Sequence, residues 1–392
     1  MNTGETLRNQ VAIAGVGESE IGKVPHMSGL GLNAQAAKRA LEESGLKLSD
    51  IDGVLTCYNL TEPYPMLGTV LCEYLGIKPK YCAAMMLGGA SPAVVLRHAA
   101  ETVASGRCKA VLVCGGENRA TGLTRDQAVQ TIATIGHPYF ESPYGPSMPG
   151  FYALIAQRYM HEYGLTLEQL AAVAVTTRRH AALHPGAQMK KPLTVADVMA
   201  SKPVADPLRM LDCCLISDAA GAFIVTRPEL AKDLKQKPIY LAGIGEYHTH
   251  EHVTFAPSLT EFGARQSSED AYAMAGLKPS DVDLAQLYDC FTIVPVLELE
   301  EMGFCEKGEG GAFYEAGHAA IGGKLPINTH GGMLSHAHAG AAGGLFGIVE
   351  SVRQLRGGLG ERQVQGAEVA LVHNEGGILS SHCTAILTNS PA

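Results

Sequence analysis

A chain of 392 residues with 46% hydrophobic and only 18% charged residues can bury a large core, which argues against a disordered scaffold and suggests one large or two medium domains. A formal net charge of -9 and the absence of any Lys/Arg run argue against nucleic acid or an anionic membrane as the main partner, leaving room for a small anionic ligand in a local basic pocket. The polar stretch Met1 to Gln10 carries no secretory pattern, no apolar run reaches the roughly 18 residues of a membrane span, and the ten cysteines form no CxxC pair or secreted framework. A reducing cytoplasmic setting is expected.

In chain order, short β-branched apolar runs alternate with Ala/Leu-rich segments of helical period, the pattern of an α/β fold with buried sheets. The first strand, Val11 to Val16, closes on Ala14-Gly-Val-Gly17, and an Ala-rich helix then ends at Gly45-Leu-Lys-Leu-Ser-Asp-Ile-Asp52 ahead of a second strand. Cys82 lies on a later strand. A helix follows with Ser91 as N-cap and Pro92 in its first position, running to Ser105-Gly106. The strand Ala110-Val-Leu-Val113 leads into residues 118–200, rich in Pro, Tyr, His and Met, read as a substrate-covering lid or a long packed excursion. Within it, Arg178 and Arg179 sit on a helix face open to solvent or to the phosphates of an anionic ligand.

Beyond the polar residues 232–237 the same signals return in the same order. Ala242-Gly-Ile-Gly245 closes a strand, Gly276-Leu-Lys-Pro-Ser-Asp-Val-Asp283 follows an Ala-rich helix, and Val369-Ala-Leu-Val372 forms a strand. The two Gly-Leu-Lys blocks match at one constant offset, and three segments recurring in order mark a duplicated half. The predicted halves are residues 1–235, with the insertion at about 118–200, and residues 236–392. His248, His250 and His252 alternate in the best metal-like spacing of the chain, and no metal is assigned to them.

Four further segments carry chemistry: Val198 to Gly221 with its paired Cys213 and Cys214, Tyr288-Asp-Cys-Phe291, Asn328-Thr-His-Gly-Gly332 leading to Ala337-His338, and His373-Asn-Glu-Gly-Gly377. On these residues the chain resembles the thiolase superfamily over essentially its whole length, and within it the sterol-carrier-protein-type branch. The resemblance implies a thiolase fold, two duplicated αβα halves in a five-layered αβαβα structure, normally dimeric, with a CoA thioester as ligand. Tyr288-Asp-Cys-Phe291 looks like the branch's HDCF motif with Tyr in place of His. Ala337-His338 looks like the family's GHPxGA segment without its Gly and Pro.

Thiolases attack with a cysteine at the N-terminus of a buried helix, where the macrodipole favours the thiolate. Counting back from Gly106 sets Gly89-Ala-Ser-Pro92 against the family's Cys-x-Ser-Gly, so Gly89 stands at the nucleophile position. A cysteine restored there is expected to have a depressed pKa and to accept acyl groups. Without a nucleophile, the covalent step of retro-Claisen thiolysis is lost, whereas acid/base chemistry with an oxyanion hole survives. In this respect the chain resembles the thiolase-like acyl-CoA aldolases.

By that resemblance His338 is the active-site histidine whose N–H stabilises a thioester enolate oxygen, with His336 supporting it. Tyr288 takes the proton of the β-hydroxyl, and Cys290 or Tyr288 returns one to the α-carbon. His373, Gly376 and Gly377 are expected to line the same cavity, with Asn374 orienting. The expected reaction is retro-aldol cleavage of a β-hydroxyacyl-CoA. Claisen-type thiolysis of an unusual β-ketoacyl-CoA, with sulfur from Cys82, Cys290 or free CoA, is one alternative; a non-catalytic acyl-CoA-binding subunit is another. Coenzyme A enters as part of the substrate, with no permanently bound cofactor. A homodimer joined by a small zinc-ribbon/OB-fold subunit is the expected assembly.

Overall fold

A computed structural model describes residues 7–124, 126–127, 135–145 and 147–391. Its strands are β1 (Ala12–Glu18), β2 (Gly53–Cys57), β3 (Tyr81–Met85), β4 (Ala110–Asn118), β5 (Pro203–Ala205), β6 (Leu208–Arg209), β7 (Asp218–Thr226), β8 (Ile239–His248), β9 (Leu284–Gln286), β10 (Val369–Gly376) and β11 (Ser381–Thr388). The longer helices are α1 (Gly29–Ser44), α2 (Leu67–Leu75), α3 (Ser91–Ala104), α4 (Met148–Tyr163), α5 (Leu167–Leu183), α6 (Ala264–Ala275), α7 (Ile293–Glu301) and α8 (Leu345–Arg356).

Nine strands join in the order β3-β2-β4-β7-β1-β8-β11-β10-β9. This order is one sheet pattern written twice. β2 runs parallel to β4, which is antiparallel to β7, which is antiparallel to β1; β9, β10, β11 and β8 repeat those relations. The copies meet where Ala12 pairs with Tyr240 and Ile13 with Ile239.

The sequence repeat has a packing cause. A Cβ at Gly15 or Gly17 would fall within 3.0 Å of the Ala40 or Ala36 carbonyl of α1, and one at Gly243 or Gly245 equally close to the Ala271 or Ser267 carbonyl of α6. Only glycine lets a helix backbone lie so near a strand. Both helices then end on a left-handed glycine, Gly45 at φ 81° and Gly276 at φ 68°. A single 3-10 turn follows each, with the Asp50 or Asp281 carboxylate accepting from the Lys47 or Lys278 amide.

α3 and α8 form the middle layer, each touching strands of both copies, while α1 and α2 cover one outer face and α6 with α7 the other. The layering is αβαβα. Its central core is aliphatic, with Val95, Ala99 and Val103 of α3 and Ile348, Val349 and Val352 of α8 packed among Val113, Phe223, Val372 and Ala385.

The insertion packs on the C-terminal half. Phe151, Tyr152, Ile155 and Tyr159 of α4 share a core with Tyr288, Phe291, Val294 and Leu297. Tyr152 stacks on Phe291 with ring centres 4.5 Å apart. Arg178, expected on an open face, is instead buried and donates to Ser335 Oγ at 2.8 Å. Residues 125, 128–134 and 146 of the insertion lie outside the described residues. No helix among the described residues is long and apolar enough to cross a membrane.

Candidate active site

The site is built where the N-terminus of α3 meets the end of β10. Ser91 is the first residue of α3 and Ala90 its cap, so the helix starts one residue earlier than its capping signals predicted. The Ser91 hydroxyl closes the preceding turn instead, donating to the Gly88 carbonyl at 2.6 Å and accepting from the Leu87 amide at 2.9 Å. That turn lies backbone to backbone on β10. A Cβ at Gly88 would be 2.7 Å from the Gly377 nitrogen, and one at Gly376 would run into the Leu87 carbonyl.

Gly89 has no more room. A Cβ there would fall within 3.0 Å of Tyr288 Oη, Tyr288 Cζ and the Glu375 carbonyl oxygen. The phenol of Tyr288 therefore occupies the volume in which a side chain at position 89 would stand. The glycine at 89 and the tyrosine in the YDCF segment are one structural feature.

Three consecutive residues after β9 each anchor a different part of the site. The Tyr288 amide donates to Glu298 Oε2 at 3.0 Å, fixing the ring's base. Asp289 accepts from the Met333 amide at 2.7 Å and the Leu334 amide at 3.4 Å, gripping the π-helical turn Gly332–His336 that leads to His338. Gly332, at φ 56°, is the residue that turn needs, because a Cβ would strike the Asp289 carboxylate. Cys290 donates its thiol hydrogen to Glu375 Oε1 at 3.3 Å.

Glu375 is a third chemical group that sequence reasoning passed over. Its Oε1 also accepts from the Tyr152 hydroxyl at 2.7 Å, and its Oε2 from the Leu379 amide at 3.1 Å. Burial raises this carboxyl to about 7 in spite of those donors. Burial, with Glu375 beside it, pushes the Cys290 thiol well above its ordinary range. Cys290 is thus a proton-bearing thiol and not a thiolate nucleophile.

His338 is partly exposed and stands edge-on to Tyr288, with ring centres 6.5 Å apart and planes at 87°. Its amide donates to Ser217 Oγ at 3.0 Å, and its Nδ1 donates to the Leu215 carbonyl at 3.3 Å. With the ring hydrogen held there, Nε2 of the neutral ring carries a lone pair. Burial, reinforced by the Arg119 cation, lowers His338 to about 3, so the ring is neutral at neutral pH. Burial raises Tyr288 well above the ordinary phenol value, and the phenol keeps its hydrogen. Of this pair, His338 Nε2 carries a lone pair and Tyr288 Oη carries a hydrogen.

The remaining expected residues divide. Gly376 and Gly377 lie against the Leu87–Gly89 turn. Asn374 faces the start of α8 beside Gly344 and donates to the His373 carbonyl at 3.0 Å. The His373 ring bonds to Thr384 Oγ1 at 2.8 Å and His382 Nδ1 at 3.1 Å and lies 3.7 Å from Glu298 Oε1, whose other oxygen holds the Tyr288 amide. His336 is fully buried against His184, His330 and Phe346. His248, His250 and His252 go to separate partners, since β8 ends at His248.

Glu18, His184 and His336 bring donor atoms within 4.8 Å of one another, the set best suited to a cation among the described residues. Glu18 is, however, paired with Arg353. The His184 Nδ1 already accepts from the Gly186 amide at 3.1 Å, which puts the ring hydrogen on Nε2. A cation there competes with both interactions.

Residues 11–229 match the thiolase N-terminal domain, and residues 245–389 match the thiolase C-terminal domain-like family. The chain is 36% identical over 390 residues to the 17-hydroxy-3-oxo-4-pregnene-20-carboxyl-CoA lyase of Mycobacterium tuberculosis, covering 96% of this chain and 98% of that protein. It is 34% identical over 371 residues to the acetyl-CoA acetyltransferase of Methanothermobacter thermautotrophicus, covering 94% and 96%. Among solved structures, the Ltp2-ChsH2(DUF35) aldolase superposes with a TM-score of 0.87 at 33% identity over 98% of each chain.

Proposed function

The chain belongs to the thiolase family, and from that premise we propose that it breaks a carbon–carbon bond of a β-hydroxyacyl-CoA by retro-aldol chemistry, with no acyl-enzyme. The observation that carries this reading is the Tyr288 phenol filling the place of a side chain at Gly89. The similarity to a lyase and to an aldolase supports it. Neither thiol weighed from the sequence stands at Gly89: Cys82 packs against the outer α1/α2 layer, and Cys290 is tied to Glu375.

In this scheme the β-hydroxyl proton passes to the Nε2 lone pair of His338. The Cα–Cβ bond breaks, the β-carbon becomes the carbonyl carbon of a ketone or aldehyde, and the electron pair moves into the thioester as an enolate. The enolate oxygen accepts the Tyr288 hydrogen at the positive end of α3. Protonation at Cα then releases the shortened acyl-CoA. Coenzyme A is carried in as part of the substrate.

Purified protein given a β-hydroxyacyl-CoA is expected to release a shorter acyl-CoA and a carbonyl compound. Given an acyl-CoA without acceptor, it is expected to show no stoichiometric acylation by intact-protein mass. An adduct on Cys82 or Cys290 that free CoA discharges would instead establish Claisen-type transfer, the second reading, which the similarity to an acetyltransferase favours.

The functional assembly is proposed to be a homodimer carrying a small zinc-ribbon/OB-fold subunit, a reading supported by the two-component name of the Ltp2-ChsH2(DUF35) aldolase. Co-expression with such a subunit is expected to raise turnover. A dimer of this chain alone that is fully active, with no gain on co-expression, would remove the partner.

A further inference from the structure

Retro-aldol cleavage leaves a carbanion equivalent at Cα that needs a proton, and a donor is called for beside the Tyr288–His338 pair. The buried cluster beside them holds a suitable source. Glu375 Oε1 is shared by the Cys290 thiol at 3.3 Å and the Tyr152 hydroxyl at 2.7 Å, and Oε2 is held by the Leu379 amide at 3.1 Å. Glu375 and Cys290 are both almost fully buried. Cys290 is two residues from Tyr288 in the same loop.

The geometry makes the direction of the Cys290 proton depend on Glu375. With Glu375 ionised, both Tyr152 and Cys290 donate to the carboxylate, so the thiol hydrogen points away from the substrate. With Glu375 protonated, the carboxyl donates to sulfur, and the thiol hydrogen is released towards the cavity. Resting on the retro-aldol reading, we propose that Glu375 is the proton reservoir of the site, acting through Cys290 to protonate Cα of the enolate, and that Tyr152 of the insertion holds it in place. In that step the Cys290 S–H bond breaks as the Cα–H bond forms, the carboxyl O–H of Glu375 passes its proton to sulfur, and the proton that His338 took from the β-hydroxyl leaves to solvent, from which the carboxylate takes one back. No oxidant or reductant enters. Glu375 is a positioning and relay residue, since Cys290 and not Glu375 meets the substrate.

The near-neutral ionisation of Glu375 gives the relay a signature. A donor that must carry its proton loses rate as pH rises through about 7. Two readouts test it: the pH dependence of kcat for cleavage, and deuterium uptake at Cα of the shortened acyl-CoA in heavy water, followed by mass. Glu375→Gln is expected to slow α-exchange by on the order of 10² with KM nearly unchanged and to erase the neutral limb of the profile. Cys290→Ala is expected to match it, with no further loss in the double variant. Tyr152→Phe removes a hydrogen bond that favours the carboxylate, so its limb should move to higher pH while the reaction persists. A purely structural role would leave the limb in place.

Wild-type exchange rates and an unmoved limb in both Glu375→Gln and Tyr152→Phe would overturn the relay while leaving retro-aldol cleavage intact. α-Exchange by the wild type without cleavage of any β-hydroxyacyl-CoA, abolished in Glu375→Gln, would sink the retro-aldol reading and uphold the relay.

Discussion

Replacing Tyr288 by phenylalanine is expected to lower kcat by on the order of 10² to 10⁴, the usual worth of a positioned proton donor, and to leave KM for the CoA thioester nearly unchanged. The ring fills the space above Gly89, and phenylalanine keeps that volume while deleting only the oxygen. The protein should therefore fold normally, and the loss should appear in the chemical step. The phenol is deeply buried and keeps its hydrogen, so its contribution is a hydrogen bond that strengthens as the thioester oxygen becomes an enolate. An interaction formed only in the transition state lowers kcat and kcat/KM together. Steady-state kinetics with near-normal turnover would remove Tyr288 from the mechanism and leave His338 alone with the α3 N-terminus.

The second large effect is expected at Gly89. Gly89→Cys should abolish most of the cleavage activity and should not create an acyl-accepting thiol, contrary to what the sequence alone led us to expect. The added Cβ meets the Tyr288 hydroxyl, its Cζ and the Glu375 carbonyl, all within 3.0 Å. A flexible side chain can yield, but here one obstacle is backbone and the others belong to the group that does the chemistry. Overpacking of this kind costs about 1–3 kcal/mol, so a lowered melting temperature should accompany the loss. Gly89→Ala should behave alike, which separates the steric cause from the thiol. Intact-protein mass after incubation with acyl-CoA decides the matter: a labile acyl adduct on residue 89 would mean that Tyr288 swings aside and that the site tolerates covalent chemistry.

Much of the architecture is legible in the residues because its causes are local. The glycine pairs at 15/17 and 243/245 are written into the sequence as close strand–helix packing, and Gly45 and Gly276 as helix stops. The vacancy at Gly89 and the tyrosine of the YDCF segment are legible separately, yet their mutual exclusion depends on two segments nearly two hundred residues apart meeting in space. The same holds for the chemistry. The role of His338 turns on a carbonyl 123 residues upstream, which fixes its ring hydrogen. Glu375 lay in plain view within the C-terminal motif, but its meaning comes from Tyr152, 223 residues away. Alternation along β10 turns Asn374 towards α8 and puts His373 and Glu375 together on the opposite face. Arg178 looked like a solvated helix residue until its partner Ser335 was seen above it.

The backbone-to-backbone seam of Leu87–Gly89 on Glu375–Gly377 has one more consequence. The floor of the site is peptide contributed by both copies of the duplicated unit, and at positions 88, 89, 376 and 377 it bears no side chain. Whatever reactivity appears above that floor has to be hung from a wall. In this chain the wall is the loop after β9, so the reactive phenol belongs to the second copy of the unit while the floor beneath it is glycine. A change of chemistry here is open to a residue of the wall and closed to the floor, where any side chain would collide with the seam.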